Sequence, residues 1–156
     1  MSDIYTYNPS LKQLIPSSSA YPIIRLKSFP SSFDVNIFTE SLNNTLNRSP
    51  TARAQLSRVS HEGIDLIGIS PQAAQKQFGV SPRASGFSVH NGGQNPYNDN
   101  ANIPFEIDAY VVLGDKIFSN GSFNYETIIS SVLFHEGVSH PLEGGHKWLN
   151  YRQLYT

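Results

Sequence analysis

The sequence predicts an α+β domain, with a few-stranded mixed sheet packed on the helix that follows Asn124. Three observations carry this. The run "YPIIRLKSF" alternates enough to be one strand, "GIDLIGIS" alternates β-branched residues, and Ala109 to Leu113 is an apolar run suited to a buried strand. Residues 33–59 instead place Val35, Phe38, Leu42 and Leu46 three or four apart, the period of a helix with one apolar face. A further helix opens after the turn cluster "SNGSFN". With 156 residues and 38% hydrophobic content, the chain is long enough for one core.

Taken in order, residues 1–32 carry Pro9, Pro16, Pro22, Pro30 and the run Ser17 to Ser19, which predicts a partly extended N-terminal extension. Its one expected strand is "YPIIRLKSF". Residues 33–156 are expected to form a single domain. Ser32 is the cap candidate for its first helix, which should break near Pro50 and resume from Ala52 to Val59. "GIDLIGIS", bounded by Gly63 and Pro71, follows as a short strand, and "PQAAQKQFG" as a short helix closed by Gly79. Residues 80–104, with Gly86, Gly92, Gly93, Pro96 and Pro104, are expected to be a long surface loop. Ala109 to Leu113 then reads as a buried strand, with a turn at Gly114-Asp115. Asn124 is placed to cap the last helix, with Glu126 in its first turn.

Composition excludes several function classes. A net charge of −1 and the lack of any Lys/Arg cluster argue against a nucleic-acid partner. No apolar run approaches the roughly 20 residues of a membrane-spanning helix, and the start "MSDIYTYNPSLKQ" has neither the basic nor the apolar region of a signal peptide. The expectation is a soluble chain, cytoplasmic or delivered by fusion or a specialised secretion system. With no cysteine, any metal must be held by His, Asp, Glu or main-chain oxygen.

The densest chemistry lies in "FHEGVSHPLEGGHKW", residues 134–148, which holds three of the five histidines. On a helix of about 100° per residue with Ile128 at zero, Val132, Ile129 and Leu133 span an apolar arc up to about 140°. His135, Glu136 and His140 fall within or beside that arc, so they face inward. Yet His135 and His140, five apart, lie about 140° from each other on an unbroken α-helix. A π-bulge would absorb the extra residue, and Gly137 and Pro141 would loosen the same turn.

His-Glu followed by a further His resembles the zincin class of zinc metallopeptidases, whose HExxH motif sets two imidazoles and a glutamate on one helix face. Here the segment is one residue longer, HExxxH, with Ser139 where the second histidine would stand; a dipeptidyl-peptidase family is similar in this longer spacing. The metzincin branch, HExxHxxGxxH, keeps the six-residue step found here from His140 to His146, with Gly144 and Gly145 available to reverse the chain. The resemblance implies one zinc ion on His135, His140 and His146, with Glu136 as general base. Glu143 is a possible third ligand or an acceptor for an imidazole N–H. Tyr151 and Tyr155 could donate to an oxyanion. Ala109, Tyr110, Val111 and Val112 are the segment available as the edge of the substrate cleft, where an extended peptide could pair.

The function so implied is a zinc-dependent peptidase acting on a peptide or protein, of the size of the catalytic domains that end bacterial toxins and effectors. Two alternatives stay open: a non-enzymatic metal-stabilised binding module, and a metal-dependent hydrolase of cell-wall peptide. His61 and His90 suit, respectively, a helix end and a loop.

Overall fold

The computed structural model describes residues 3–59, 62–90 and 107–139. It has an α+β architecture built on a six-stranded mixed sheet. The strands are β1 (Tyr5–Asn8), β2 (Gln13–Pro16), β3 (Ile24–Lys27), β4 (Ile64–Ile69), β5 (Gly86–His90) and β6 (Ile107–Val112), in the spatial order β1-β2-β3-β4-β6-β5. β3, β4 and β6 run parallel at the centre, while β1, β2 and β5 add antiparallel pairings. The helices are α1 (Val35–Arg48), α2 (Pro50–Leu56), α3 (Pro71–Phe78), α4 (Tyr125–Thr127) and a π-helix from Ile128 to Ser139.

Side-chain alternation along the strands sorts the sheet into two faces. Ile24, Leu26, Ile64, Leu66, Ile107, Ala109 and Val111 are buried on one face, in a core shared with Phe38, Leu42 and Leu46 of α1, Leu56 of α2 and the apolar residues of the π-helix. The opposite face mixes charged and aromatic residues with the aliphatic Ile67, Ile69 and Val112. There Asp65, only 2% exposed, accepts charge-assisted bonds from Arg25 Nε and from Lys27 Nζ, the latter at 2.6 Å. Burial of the carboxylate is tolerated because both cations sit on the neighbouring strand, Arg25 directly opposite it in register.

Residues 5–27, expected as a partly extended segment with one strand, supply three strands of the sheet, and Tyr5, Leu14 and Ile24 are buried core. The strand at the outer edge, β1, is closed by a side chain. Asn43 of α1 accepts from the Tyr5 N–H at 2.8 Å and donates to the Tyr5 carbonyl at 2.9 Å, so one amide replaces a strand partner.

Local capping explains where the helices begin. Asp34, not Ser32, caps α1, its carboxylate accepting from the N–H groups of Asn36 and Ile37 at 3.0 and 3.2 Å. α2 starts at Pro50 itself, because proline is suited to the first helical turn, and Ser49 accepts from Ala52 N–H at 3.0 Å. Gly79 closes α3 in the left-handed conformation at φ 68°. Asn120 and Gly121, at φ 54° and 80°, turn the hairpin between β7 (Phe118–Ser119) and β8 (Ser122–Phe123). Asn124 then caps α4 through Thr127 N–H at 3.0 Å, as the sequence predicts.

Residues 86–90 are a correction to the expected loop: they form β5, paired in register with Ile107 to Val111 of β6. The glycine that signals a turn is required here for another reason. A Cβ on Gly86 would stand 2.6 Å from the Tyr110 carbonyl oxygen and 2.8 Å from both methyl carbons of Val132. Residues 80–85 join α3 to β5 without a regular element, and residues 91–104 of the expected loop lie outside the described residues.

Candidate active site on the π-helix

The π-helix is the element that the site depends on. In this conformation each N–H bonds to the carbonyl five residues back, so residues five apart stack on one face as residues four apart do in an α-helix. Burial follows that ladder. Ile128, Leu133 and Val138 are all 0% exposed, as are Ile129 and Phe134, while Val132 and Gly137 form a third buried pair. On an α-helix Phe134 would fall well outside the Ile128–Leu133 arc; the π register brings it into the core.

Two sheet contacts fix how the π-helix lies. Val132 packs over Gly86 on β5. Nearer the helix end, a Cβ on Gly137 would stand 3.3 Å from the Ala109 Cβ and 3.5 Å from Ile64 Cγ2, so the helix backbone packs closely on β6 and β4 and a methyl group here would be tight against Ala109. The helix therefore ends against the sheet over Ala109 and Ile64. His135 and Glu136 sit immediately before this contact.

Their side chains are neither core nor freely solvated, with 29% and 15% exposure respectively. His135 Nε2 stands 3.6 Å from Glu136 Oε1, beyond hydrogen-bond distance but within that of an ion pair. Desolvation pushes the Glu136 carboxyl up from its ordinary value to about 7. A glutamate with this pKa carries and releases a proton near neutral pH, which an exposed glutamate does not.

His135 is the ladder position from which the next five-residue step leads to residue 140. His140, Glu143, His146, Tyr151 and Tyr155 lie outside the described residues. Among the described residues no group of three or more His, Asp or Glu side chains converges on one point. The donors that the structure does bring together, an imidazole and a half-buried carboxylate, are of the kind zinc sites use as ligand and base.

No protein-family model matches the chain, and neither a curated protein nor a solved structure does.

The expected cleft edge at Ala109, Tyr110, Val111 and Val112 needs correction. These residues belong to β6, which is paired with β4 on one side and β5 on the other, so its main chain has no open edge. Ala109, Val111 and Val112 are fully buried. The open edge on this side of the sheet belongs to β5, beyond which no strand is paired among the described residues. The Ser85 carbonyl accepts from Val112 N–H at 3.0 Å, so alternation turns the main chain of Phe87 towards β6 and that of Gly86 and Ser88 outward. Glycine, proline and asparagine around residues 80–104 masked this strand; the alternation Phe87, Ser88, Val89 was the signal that could have found it.

Two further features lie away from this site. A concavity of about 920 Å³ lies between β1 and α1 and is lined by Tyr7, Asn36, Glu40 and Asn47 among others. No helix among the described residues is long and apolar enough to cross a membrane.

Proposed function

We propose that this chain is a zinc-dependent peptidase in which His135, His140 and His146 hold the metal and Glu136 is the general base. The observation that carries the proposal is the π register of residues 128–139. An HExxxH spacing is incoherent on an α-helix, where residues five apart diverge by about 140°, and coherent on a helix bonded at five-residue intervals. The raised Glu136 pKa supports the same role.

A zinc ion bound there supplies Lewis acidity that polarises the scissile carbonyl and makes a water more acidic. Glu136 accepts the proton of the attacking water and passes it to the leaving amine. Gly137 anchors the base by holding the helix end against Ala109 and Ile64. The outward main-chain groups of Gly86 and Ser88 suit an extended peptide adding to β5 beside Val132 of the same helix.

The test is hydrolysis of labelled casein by the purified chain, abolished by a chelator and restored by zinc. Glu136→Gln should retain zinc and lose turnover by at least roughly a hundredfold. Hydrolysis that survives both chelation and Glu136→Gln would refute the proposal.

A further inference from the structure

Phe87 of β5 stacks on Tyr110 of β6 with ring centroids 4.7 Å apart and planes 7° from parallel. Phe78, the last residue of α3, leans on both rings at 5.1 Å and is 41% exposed. This cluster lies on the sheet face opposite the π-helix. It ends a cross-strand row, Lys27–Ile67–Tyr110–Phe87, set by the registers of β3, β4, β6 and β5. The row stops at Phe87 because β5 is the last strand of the sheet among the described residues.

We infer that Phe78, Phe87 and Tyr110 form a recognition subsite for one large apolar or aromatic side chain of a peptide strand paired antiparallel with β5. The inference rests on the strand addition to β5 proposed above. Gly86 and Ser88 present their N–H and carbonyl groups to the open edge, so an incoming antiparallel strand bonds to these two. Its residue opposite Phe87 then occupies a non-hydrogen-bonded pair, the type in which side chains stand closest. That side chain emerges on the aromatic face, while its two neighbours fall on the π-helix face, where Gly86 offers no side chain and Ser88 a small hydroxyl. The preference is therefore confined to alternate positions: large and apolar opposite Phe87, small or polar beside it. Tyr110 contributes a flat ring whose hydroxyl stays protonated, its pKa raised by desolvation and then by Asp108.

The experiment uses the full chain carrying Glu136→Gln, which binds peptide without turning it over. Fluorescein-labelled heptapeptides Thr-Ser-Thr-X-Thr-Ser-Thr, with X as Phe, Leu, Ala or Asp, are titrated by anisotropy with and without zinc. The Phe peptide should bind roughly tenfold more tightly than the Ala peptide, with Leu between and Asp weakest. Phe78→Ala, a substitution at an exposed helix end, and Phe87→Thr should each reduce that ratio to about threefold or less. Equal binding of all four peptides, no binding of any, or a ratio unchanged in both variants would overturn the inference. Zinc-dependent hydrolysis without the aromatic preference would remove the subsite and leave the peptidase reading standing. An aromatic preference in a chain that takes up no zinc would do the reverse.

Discussion

Gly86 of β5 lies directly against Val132 of the π-helix, so close that a Cβ on the glycine would stand 2.8 Å from both valine methyl carbons. This contact ties the edge strand, which offers the open main chain, to the helix that carries His135 and Glu136. It also sets a limit that neither element could set alone: the edge strand must be bare where the helix crosses it.

Gly86→Ala therefore forces β5 and the π-helix apart. The added methyl meets the Tyr110 carbonyl at 2.6 Å as well, and backbone cannot swing aside as a side chain can. The expected loss is about 2 kcal/mol or more of unfolding free energy, read from urea denaturation. Truncating the helix side as well, with Val132→Ala, should recover only part of it, because the carbonyl clash remains. Full stability in Gly86→Ala would contradict this packing.

Asn43 makes a second, independent prediction. Its amide satisfies both the N–H and the carbonyl of Tyr5 at 2.8 and 2.9 Å, 38 residues away in sequence. Asn43→Ala leaves two buried main-chain groups without partners and should cost about 2–4 kcal/mol. Asn43→Asp keeps an acceptor for the N–H but sets a carboxylate against the carbonyl, so it should be no less destabilising at neutral pH than Asn43→Ala. Exposure of the β1 edge in either variant should also raise the aggregation rate, measured by light scattering. Two variants as stable as the parent chain would show that the amide is dispensable.

The buried position of Glu136 gives a pH dependence with a definite sign. Its folded pKa, about 7, lies above its ordinary 4.5, so the folded chain holds the proton more tightly than the unfolded one. The associated stability is fully present below about pH 4.5 and is lost as pH rises through 7. Glu136→Gln removes the titration. In chelator-treated protein the variant should gain stability relative to the parent chain by on the order of 2 kcal/mol between pH 4.5 and pH 8, the full shift being discounted for the side chain's partial contact with water. A difference between the two chains that stays flat over this range would mean that Glu136 is not desolvated.

Much of this was legible in the sequence, for reasons that particular residues make clear. The period of Val35, Phe38, Leu42 and Leu46 gives α1, because an apolar stripe has one way to be buried. Asn124 caps α4 as expected, a cap being a local bond that needs no distant partner. β1 and β2 were hidden because Pro9 and Pro16 sit beside or at the end of short strands, where proline is tolerated, and because Asn43, far along the chain, closes their edge. β5 was hidden behind Gly86, whose requirement comes from Val132 and not from a turn. The spacing of His135 and His140 exposed the register problem, and Gly137 was marked as the place where an α-helix would loosen. The extent of the change, a π-helix from Ile128 to Ser139, was set by packing: the Ile128–Leu133–Val138 and Ile129–Phe134 ladders are both fully buried only at a five-residue period.

Zinc binding is the direct test of the proposed metal site at His135, His140 and His146. Chelator-stripped protein titrated with zinc, by calorimetry and by elemental analysis after dialysis, should take up one ion per chain. Affinity should fall by at least roughly a hundredfold in His135→Ala, and by no more than about threefold in Glu136→Gln. A parent chain that binds no zinc, or a His135→Ala variant that binds it as tightly as the parent, would show that His135 does not hold the metal.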